Sequence, residues 1–203
     1  MSSNGEKDHE LVRKRLEASA AVKTAMSNDE AIVSLLATIA SAIVDAYRGG
    51  HKVLICGNGG SAADAQHIAA ELVGKFYLVR EPLAAVALTV NTSSLTAVGN
   101  DFSFDDVFVK QAKGLGQPGD VIIGISTSGN SENVIRALDV GRDQGLVTVA
   151  FTGRSGGRIV DHAEHVLRVP SDDTPRIQEG HITAGHILCE IVERALFAPG
   201  NAP

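Results

Sequence analysis

Apolar residues recur at three- and four-residue spacing in the first fifty residues, which predicts helices. Residues 8–26 form a charged amphipathic pattern, with an apolar side made of Leu11, Val12, Leu16 and Val22. Asp29-Glu30 opens a second helix, whose apolar side carries Ile32, Leu35, Leu36, Ile39, Ile43 and Val44. Gly49-Gly50 follows and is a typical helix end. The N-terminal part is therefore predicted to be helical.

Beyond residue 50 the pattern alternates between short apolar runs and longer amphipathic stretches. The runs predict strands at 52–56, 83–88, 120–126, 146–151 and 165–170. The stretches predict helices at about 61–73, 104–113, 130–144 and 175–197. Strands of β-branched residues without polar alternation are typical of a parallel sheet covered on both faces. The predicted fold is α/β: a doubly wound five-stranded parallel sheet with N-terminal helices.

The predicted organisation is a helical segment at 1–28, one domain at 29–198 and a loose tail at 199–203, with residues 1–7 also expected to be loose. A net charge of −6 argues against binding to nucleic acid or to an anionic membrane. The two cysteines, Cys56 and Cys189, lie far apart in apolar contexts and predict buried free thiols. We see no secretory signal and no apolar run near the ~20 residues of a membrane span, so we expect a cytoplasmic protein.

Two loops at predicted strand ends have the composition of anion-binding turns. Gly57-Asn58-Gly59-Gly60 joins the first strand to a helix, and Ser126-Thr127-Ser128-Gly129-Asn130-Ser131 does the same after the third. Backbone N–H groups at a helix N-terminus favour phosphate, and several hydroxyls strengthen the case for the serine loop. A helix cap needs only one such residue. The glycine loop also fits the dinucleotide pattern, but no acid follows the second strand, which disfavours a nucleotide cofactor.

Two distant helices carry residues of the kinds that bind divalent metals. His67 and Glu71 are four residues apart and share one helix face, and the helix after residue 175 carries Gln178 and His186. Gln178 and His186 are eight residues apart, which is about 12 Å along a helix. One ion can bind both only if it lies at a height between them, or if the two ligands come from different subunits. An isolated His–Glu pair is more often a surface hydrogen bond, but both pairs flank the predicted phosphate loops.

With these residues identified, the sequence resembles the phosphoheptose isomerases, a branch of the SIS phosphosugar-binding fold, which is flavodoxin-like. The resemblance runs from about Asp29 to Phe197. The motifs that carry it are CGNGGSAADAQHIAAEL, TAVGNDFSFDDVF, GISTSGNSENVI, AFTGRSGG and DTPRIQEGHITAGHI.

The resemblance implies one zinc ion per subunit, held by His67, Glu71, Gln178 and His186. It implies sugar contacts from Asn58, Gly59, Gly60, Asn100 and Asp101, with Glu71 and Gln178 also touching substrate. It implies phosphate contacts from Ser126, Thr127, Ser128 and Ser131. Lys75 stands where the family commonly has an arginine that contacts ligand. A homotetramer with the N-terminal helices at its centre is implied as well.

The implied reaction is the isomerisation of sedoheptulose 7-phosphate to D-glycero-D-manno-heptose 7-phosphate through an enediol, with Glu71 as base and His186 as acid. One alternative is a non-catalytic regulator, because a close branch of the fold resembles a protein that contacts the replication initiator. That branch lacks residues corresponding to Glu71 and His186, and both are present here. Another alternative is an isomerase of a five- or six-carbon sugar phosphate.

Overall fold

Two long helices begin the chain. A computed structural model describes the backbone of residues 2–198 and the side chains of residues 5–198. Helix α1 spans Ser2–Ser27 and helix α2 spans Glu30–Arg48, with the Asp29 carboxylate accepting from the N–H of Ala31 at 2.9 Å as an N-cap. Residues 2–7 are therefore helical, and the expectation that they are loose is wrong. The predicted loose tail at 199–203 lies outside the described residues.

Five parallel strands form the sheet that the apolar runs predict. They are β1 (Val53–Gly57), β2 (Ala85–Ala87), β3 (Val121–Ile125), β4 (Val147–Thr152) and β5 (His165–Arg168), in the order β2-β1-β3-β4-β5. This is the doubly wound, flavodoxin-like order, and the predicted fold class is confirmed. The middle strands β1 and β3 are buried throughout, as unalternated apolar runs require.

The remaining helices cover both faces of the sheet. They are α3 (Gly60–Val73), α4 (Thr92–Asp101), α5 (Val107–Leu115), α6 (Glu132–Asp143) and α7 (Thr174–Phe197), with short 3-10 turns at Phe104–Asp106 and Arg158–Asp161. Ile55 and Ile123 point into a core shared with α2, α3 and α7. Leu54 and Ile122 point into a second core, against α5 and α6.

Helix α4 is an element that the apolar pattern did not predict. Its residues, TSSLTAVGND, include β-branched residues, serines and a glycine with low helix propensity, and none of them is buried. The Asn91 side chain caps it by accepting from the N–H of Ser94 at 3.0 Å. A capped, unburied helix leaves only a weak periodic signal in the sequence.

Helix α2 corrects the expectation that no apolar segment approaches the length of a membrane span. It has 19 residues and a mean hydropathy of 1.5, enough to cross a bilayer by length and composition alone. Seven of its residues are buried in the domain: Ile32, Leu36, Ile39, Ala40, Ile43, Val44 and Ala46. Packing against α7 and the sheet explains why this helix is apolar.

The sheet order reverses between β1 and β3, and this places two loops side by side. Gly57, the last residue of β1, pairs with Ile125, the last residue of β3. The chain leaves the sheet at both points in the same direction, once toward α3 and once toward α6. A crevice at such a reversal is the usual ligand site of an open α/β sheet.

Candidate active site

Helices α3 and α7 bring three potential metal ligands together. His67 Nε2 lies 3.1 Å from Glu71 Oε1, and His186 Nε2 lies 3.1 Å from His67 Nε2. One ligand atom from each of these residues lies within 4.8 Å of the other two. His67 is exposed and the other two side chains are half-buried, so the cluster opens to solvent.

The donor set of this triad fits a divalent cation. An imidazole nitrogen carries either one proton or one lone pair, so His67 Nε2 cannot donate to Glu71 and accept from His186 at once. A cation between the three side chains would remove this conflict, because it would accept a lone pair from each of the two nitrogens and from the carboxylate oxygen. Donors each about 2.0–2.1 Å from a tetrahedral zinc ion are roughly 3.3 Å apart, close to the two separations of 3.1 Å around His67 Nε2.

The side-chain amide of Gln178 lies beside the glycine loop. Gln178 precedes His186 by eight residues on α7, about 12 Å along the helix axis. Its side-chain amide lies where a Cβ on Gly60 would be, so the loop approaches α7 closely because residue 60 has no side chain. The protomer thus brings three of the four predicted ligands together, and a role for Gln178 as fourth ligand stays a prediction.

The serine loop presents hydroxyls at the N-terminus of α6. Ser126 is buried, and its Oγ lies 2.9 Å from Oγ of Ser131, the N-cap position of α6. Ser128 Oγ accepts from the N–H of Asn130 at 3.2 Å. Gly129 has a φ of +67°, and a Cβ there would run into the carbonyl oxygen of Gly156. Gly129 therefore allows the loop to pack closely against Gly156, and the loop hydroxyls lie at a helix N-terminus, which suits an anion.

A polar cavity of about 190 Å³ adjoins the serine loop. Thr127 and Ser128 form one wall, and the start of α7 with Thr174 forms another. A third wall comes from Arg154 and Ser155, which follow β4. Arg154 and Ser155 are not among the site residues predicted from the sequence. The signals for them were their position after a strand end and their place in the motif AFTGRSGG.

Asn133 connects the two loops and is a second residue that the sequence analysis missed. Its Nδ2 donates to Asn58 Oδ1 at 3.0 Å, and Asn58 Nδ2 donates back to Asn133 Oδ1 at 2.9 Å. Asn133 is 2% exposed, so its side chain is shielded from water where these two hydrogen bonds form. The pair holds the glycine loop after β1 against the first turn of α6.

Three predicted contact residues form no hydrogen bond or ion pair with the triad among the described residues. Lys75 is exposed in the turn after α3. Asn100 and Asp101 are exposed at the end of α4, where Asn100 Nδ2 donates to Asp101 Oδ1 at 2.8 Å. Within the described residues, no hydrogen bond or ion pair joins these three to the triad or to the serine loop. Their contacts with substrate stay predictions.

Two titratable groups near the triad have shifted pKa values. Burial raises the pKa of Asp64 to about 6, although His67, one turn further along α3, opposes the shift. Burial lowers the pKa of His181 to about 4, against the raising effect of its hydrogen bond with the Thr152 carbonyl. His181 is fully buried, with Nε2 3.1 Å from Thr152 O, so it stabilises the core as a neutral imidazole.

Comparison with known proteins agrees with this fold. Residues 17–153 match the family model described as SIS domain. The chain is 52% identical over 192 residues to the phosphoheptose isomerase of Geobacter sp. (strain M21), covering 95% of this chain and 99% of that one. It is 55% identical over 184 residues to the phosphoheptose isomerase of Aquifex aeolicus (strain VF5), covering 91% and 95%.

A solved structure gives the same result. The phosphoheptose isomerase of Neisseria gonorrhoeae superposes with a TM-score of 0.86 at 43% identity, covering 91% of this chain and 98% of that one. An open parallel sheet with anion-type loops at its reversal point defines a ligand-binding α/β protein, and the match to the family model assigns it to the SIS class. The chain belongs to the SIS-domain family and, within it, to the phosphoheptose isomerase family.

Proposed function

We propose that the protein is an aldose–ketose isomerase that converts sedoheptulose 7-phosphate into D-glycero-D-manno-heptose 7-phosphate. The observation that carries the proposal is the convergence of His67, Glu71 and His186 on one point. Family membership supports an isomerase acting on a sugar phosphate. The seven-carbon substrate and the dependence on metal are the parts that need experiment.

The proposed cofactor is one zinc ion per subunit, with His67, Glu71, Gln178 and His186 as ligands. The donor chemistry of the triad supports a divalent cation. Such an ion, when bound, would polarise the C1 and C2 oxygens of the sugar and stabilise negative charge on them. Gln178 is half-buried at the start of α7, beside Gly60, and has to reach across to the same ion. We propose no nucleotide cofactor.

Glu71 and His186 are the proposed catalytic residues, and their proton transfers balance. Glu71 removes a proton from C1 of the ketose while His186 protonates the C2 oxygen through Nδ1, since its Nε2 faces the cation site, and the enediol results. His186 then takes the proton from the C1 hydroxyl, and Glu71 returns a proton to C2. Glu71 Oε1 is the oxygen that faces His67, which leaves Oε2 for the proton transfers.

The substrate is proposed to lie across the reversal point of the sheet. Its phosphate would bind the serine loop through Ser126, Thr127, Ser128 and Ser131. Its sugar would bind Asn58, Gly59, Gly60, Asn100 and Asp101 and approach Glu71 and Gln178. The N-terminus of α6 and the polar cavity beside the serine loop support placing the phosphate at this end of the substrate.

We propose a homotetramer in the cytoplasm, with no nucleic-acid or membrane partner. In the protomer, Leu11, Val12 and Leu16 on α1 are 50%, 58% and 67% exposed. An apolar cavity of about 380 Å³ lies between α1, α2 and α7. Burial of this surface between subunits would remove it from water. Lys75 would then contact the substrate of a neighbouring subunit.

One experiment tests the reaction. Metal-free protein is reloaded with Zn²⁺ and supplied in parallel with five-, six- and seven-carbon ketose phosphates, and aldose phosphate is measured by a coupled assay. Turnover confined to sedoheptulose 7-phosphate and lost on chelation supports the proposal. Turnover of a shorter substrate alone identifies another sugar-phosphate isomerase. No turnover of any substrate favours a binding protein.

A further inference from the structure

A buried ion pair lies directly behind the triad. The Arg80 and Glu193 side chains are 2% and 1% exposed, and Arg80 Nε lies 3.1 Å from Glu193 Oε1. Arg80 belongs to the segment that follows α3, and Glu193 lies near the end of α7. The pair therefore joins the ends of the two helices that carry the triad.

Arg80 binds the C-terminal turn of α3 through its guanidinium. Its Nη2 donates to the carbonyl oxygen of Glu71 at 2.9 Å, and its Nη1 donates to that of Leu72 at 2.8 Å. Carbonyls in the last turn of a helix have no partner within the helix. One rigid side chain therefore satisfies them and fixes the backbone of Glu71 itself.

Glu193 holds the segment after α3 with the same carboxylate that pairs with Arg80. Its two oxygens accept from the N–H groups of Phe76, Tyr77 and Leu78 at 2.9, 2.7 and 2.9 Å. Burial by itself raises the pKa of Glu193, but these bonds and Arg80 lower it overall. The carboxylate is thus ionised and has partners on both oxygens.

The same contacts reach the other half of the triad. The Phe76 ring lies 5.7 Å from the ring of His186, centroid to centroid. His186 and Glu193 are seven residues apart, two turns along one face of α7. Glu71 is held through its carbonyl, and His186 is held through its own helix and the Phe76 ring.

We propose that Arg80 and Glu193 are positioning residues for the metal triad, which fix Glu71 on α3 against His186 on α7. The inference rests on the proposed function, since it assumes that the triad binds a metal. A carboxylate and an imidazole from separate helices converge only if those helices keep their relative position to within a fraction of an ångström. The Arg80–Glu193 pair contacts both helices within one turn of Glu71 and two turns of His186.

The test measures Zn²⁺ affinity by chelator competition on metal-free protein, together with kcat, KM and urea unfolding. Arg80→Lys keeps the charge but loses the planar fork, so it cannot hold Glu193 and both carbonyls together. We expect zinc affinity to fall about 10- to 100-fold, as when groups supporting metal ligands are removed, and kcat to fall with KM little changed. Glu193→Gln tests the same role if Arg80→Lys does not fold.

Lys52→Met provides the control. Lys52 Nζ lies 2.6 Å from Asp120 Oδ2, and the Asp120 carboxylate is fully buried. Lys52 precedes β1 and Asp120 precedes β3, so this pair lies at the ends of the two strands that face away from the candidate site. Its loss is expected to lower stability and leave zinc affinity unchanged. The pair would be purely structural if Arg80→Lys or Glu193→Gln folded and lost stability but kept the zinc affinity and kcat of the wild type. Wild-type protein that binds no Zn²⁺ would instead overturn the proposed function, and this inference with it.

Discussion

Glu71 has two carboxylate oxygens in different surroundings, and this difference matters for the proposed chemistry. Oε1 is 3.1 Å from His67 Nε2, whereas Oε2 forms no hydrogen bond with any of the described residues. A carboxylate that donates both oxygens to a cation is a weak base. One oxygen turned toward the cation and one left for the substrate allow the same side chain to act in both ways.

Replacing Glu71 by Gln removes the base and keeps the shape. We expect kcat to fall by roughly 10²- to 10⁴-fold, the usual contribution of a positioned acid or base. The side chain is 27% exposed, so the urea midpoint of metal-free protein is expected to change little. Glu190→Gln, on the surface of α7 beside Arg194, is the matched control and is expected to keep full activity. Retention of most activity in Glu71→Gln would contradict the assignment.

Gly60 is the residue whose missing side chain makes room for Gln178. In Gly60→Ala the new methyl group displaces the Gln178 amide. We expect kcat/KM to fall by roughly 10- to 100-fold, as a displacement near 1 Å does at a catalytic site. Gly114→Ala is the control, because a Cβ there meets nothing within 4 Å on the exposed side of α5. Equal kinetics in the two variants would argue against a role for Gln178.

His181 predicts how stability changes with pH. Its pKa is lowered to about 4 in the folded protein, against 6.5 as the ordinary value. The unfolded chain therefore takes up the proton first, and the stability from this residue is complete above pH 6.5 and lost as pH falls toward 4. The loss amounts to about 3 kcal/mol over that window. Urea unfolding at pH 7.5 and 4.5 should show a smaller decrease in His181→Gln than in wild type, and equal decreases would contradict this pKa.

At the scale of elements, the strands were predicted well because β1 and β3 are unbroken apolar runs and the others are mostly apolar. Helix α7 was predicted at 175–197 and spans Thr174–Phe197, since long periodic helices give the clearest pattern. Helix α4 was missed because it buries no residue. Connections between loops, such as Asn58 with Asn133, depend on strand order, and no local pattern in the sequence encodes that pairing.

The Asn58–Asn133 pair joins the β1 loop to α6, and its two hydrogen bonds should appear as coupling. We expect the sum of the destabilisations of Asn58→Ala and Asn133→Ala to exceed the destabilisation of the double variant by roughly 1–2 kcal/mol. Urea unfolding of the four proteins measures this. Additive effects would show that the two loops are positioned independently.

At the scale of the whole molecule, the exposed apolar side of α1 is the feature that one protomer leaves unexplained. Wild-type protein is expected to have four times the 21.2 kDa chain mass by light scattering after gel filtration. Leu16 is 67% exposed in the protomer, so Leu16→Arg should leave the protomer folded and lower the measured mass. Leu115→Arg, at the end of α5 on the other side of the sheet, is the control. A wild-type mass of a single chain would contradict the proposed assembly.

The candidate site was predictable in its residue types and less so in its geometry. His67 and Glu71 follow from helical spacing, and the serine loop follows from its place after a strand. The distance from Gln178 to the triad does not follow from spacing alone, because it depends on how α3 and α7 lie side by side. Lys75, Asn100 and Asp101 are exposed in the protomer, and their contacts depend on substrate or neighbouring subunits.

Helix α7 is the last described element of the chain, and it supplies half of the proposed site. During synthesis on the ribosome, the sheet and both anion-type loops emerge before Gln178, His186 and Glu193 do. A chain that ends before α7 would lack these residues and also Ala184, Leu188 and Val192, which fill the core between α7 and the sheet. Completion of the core and completion of the site therefore depend on the same late segment, so the protein acquires its fold and its chemistry together.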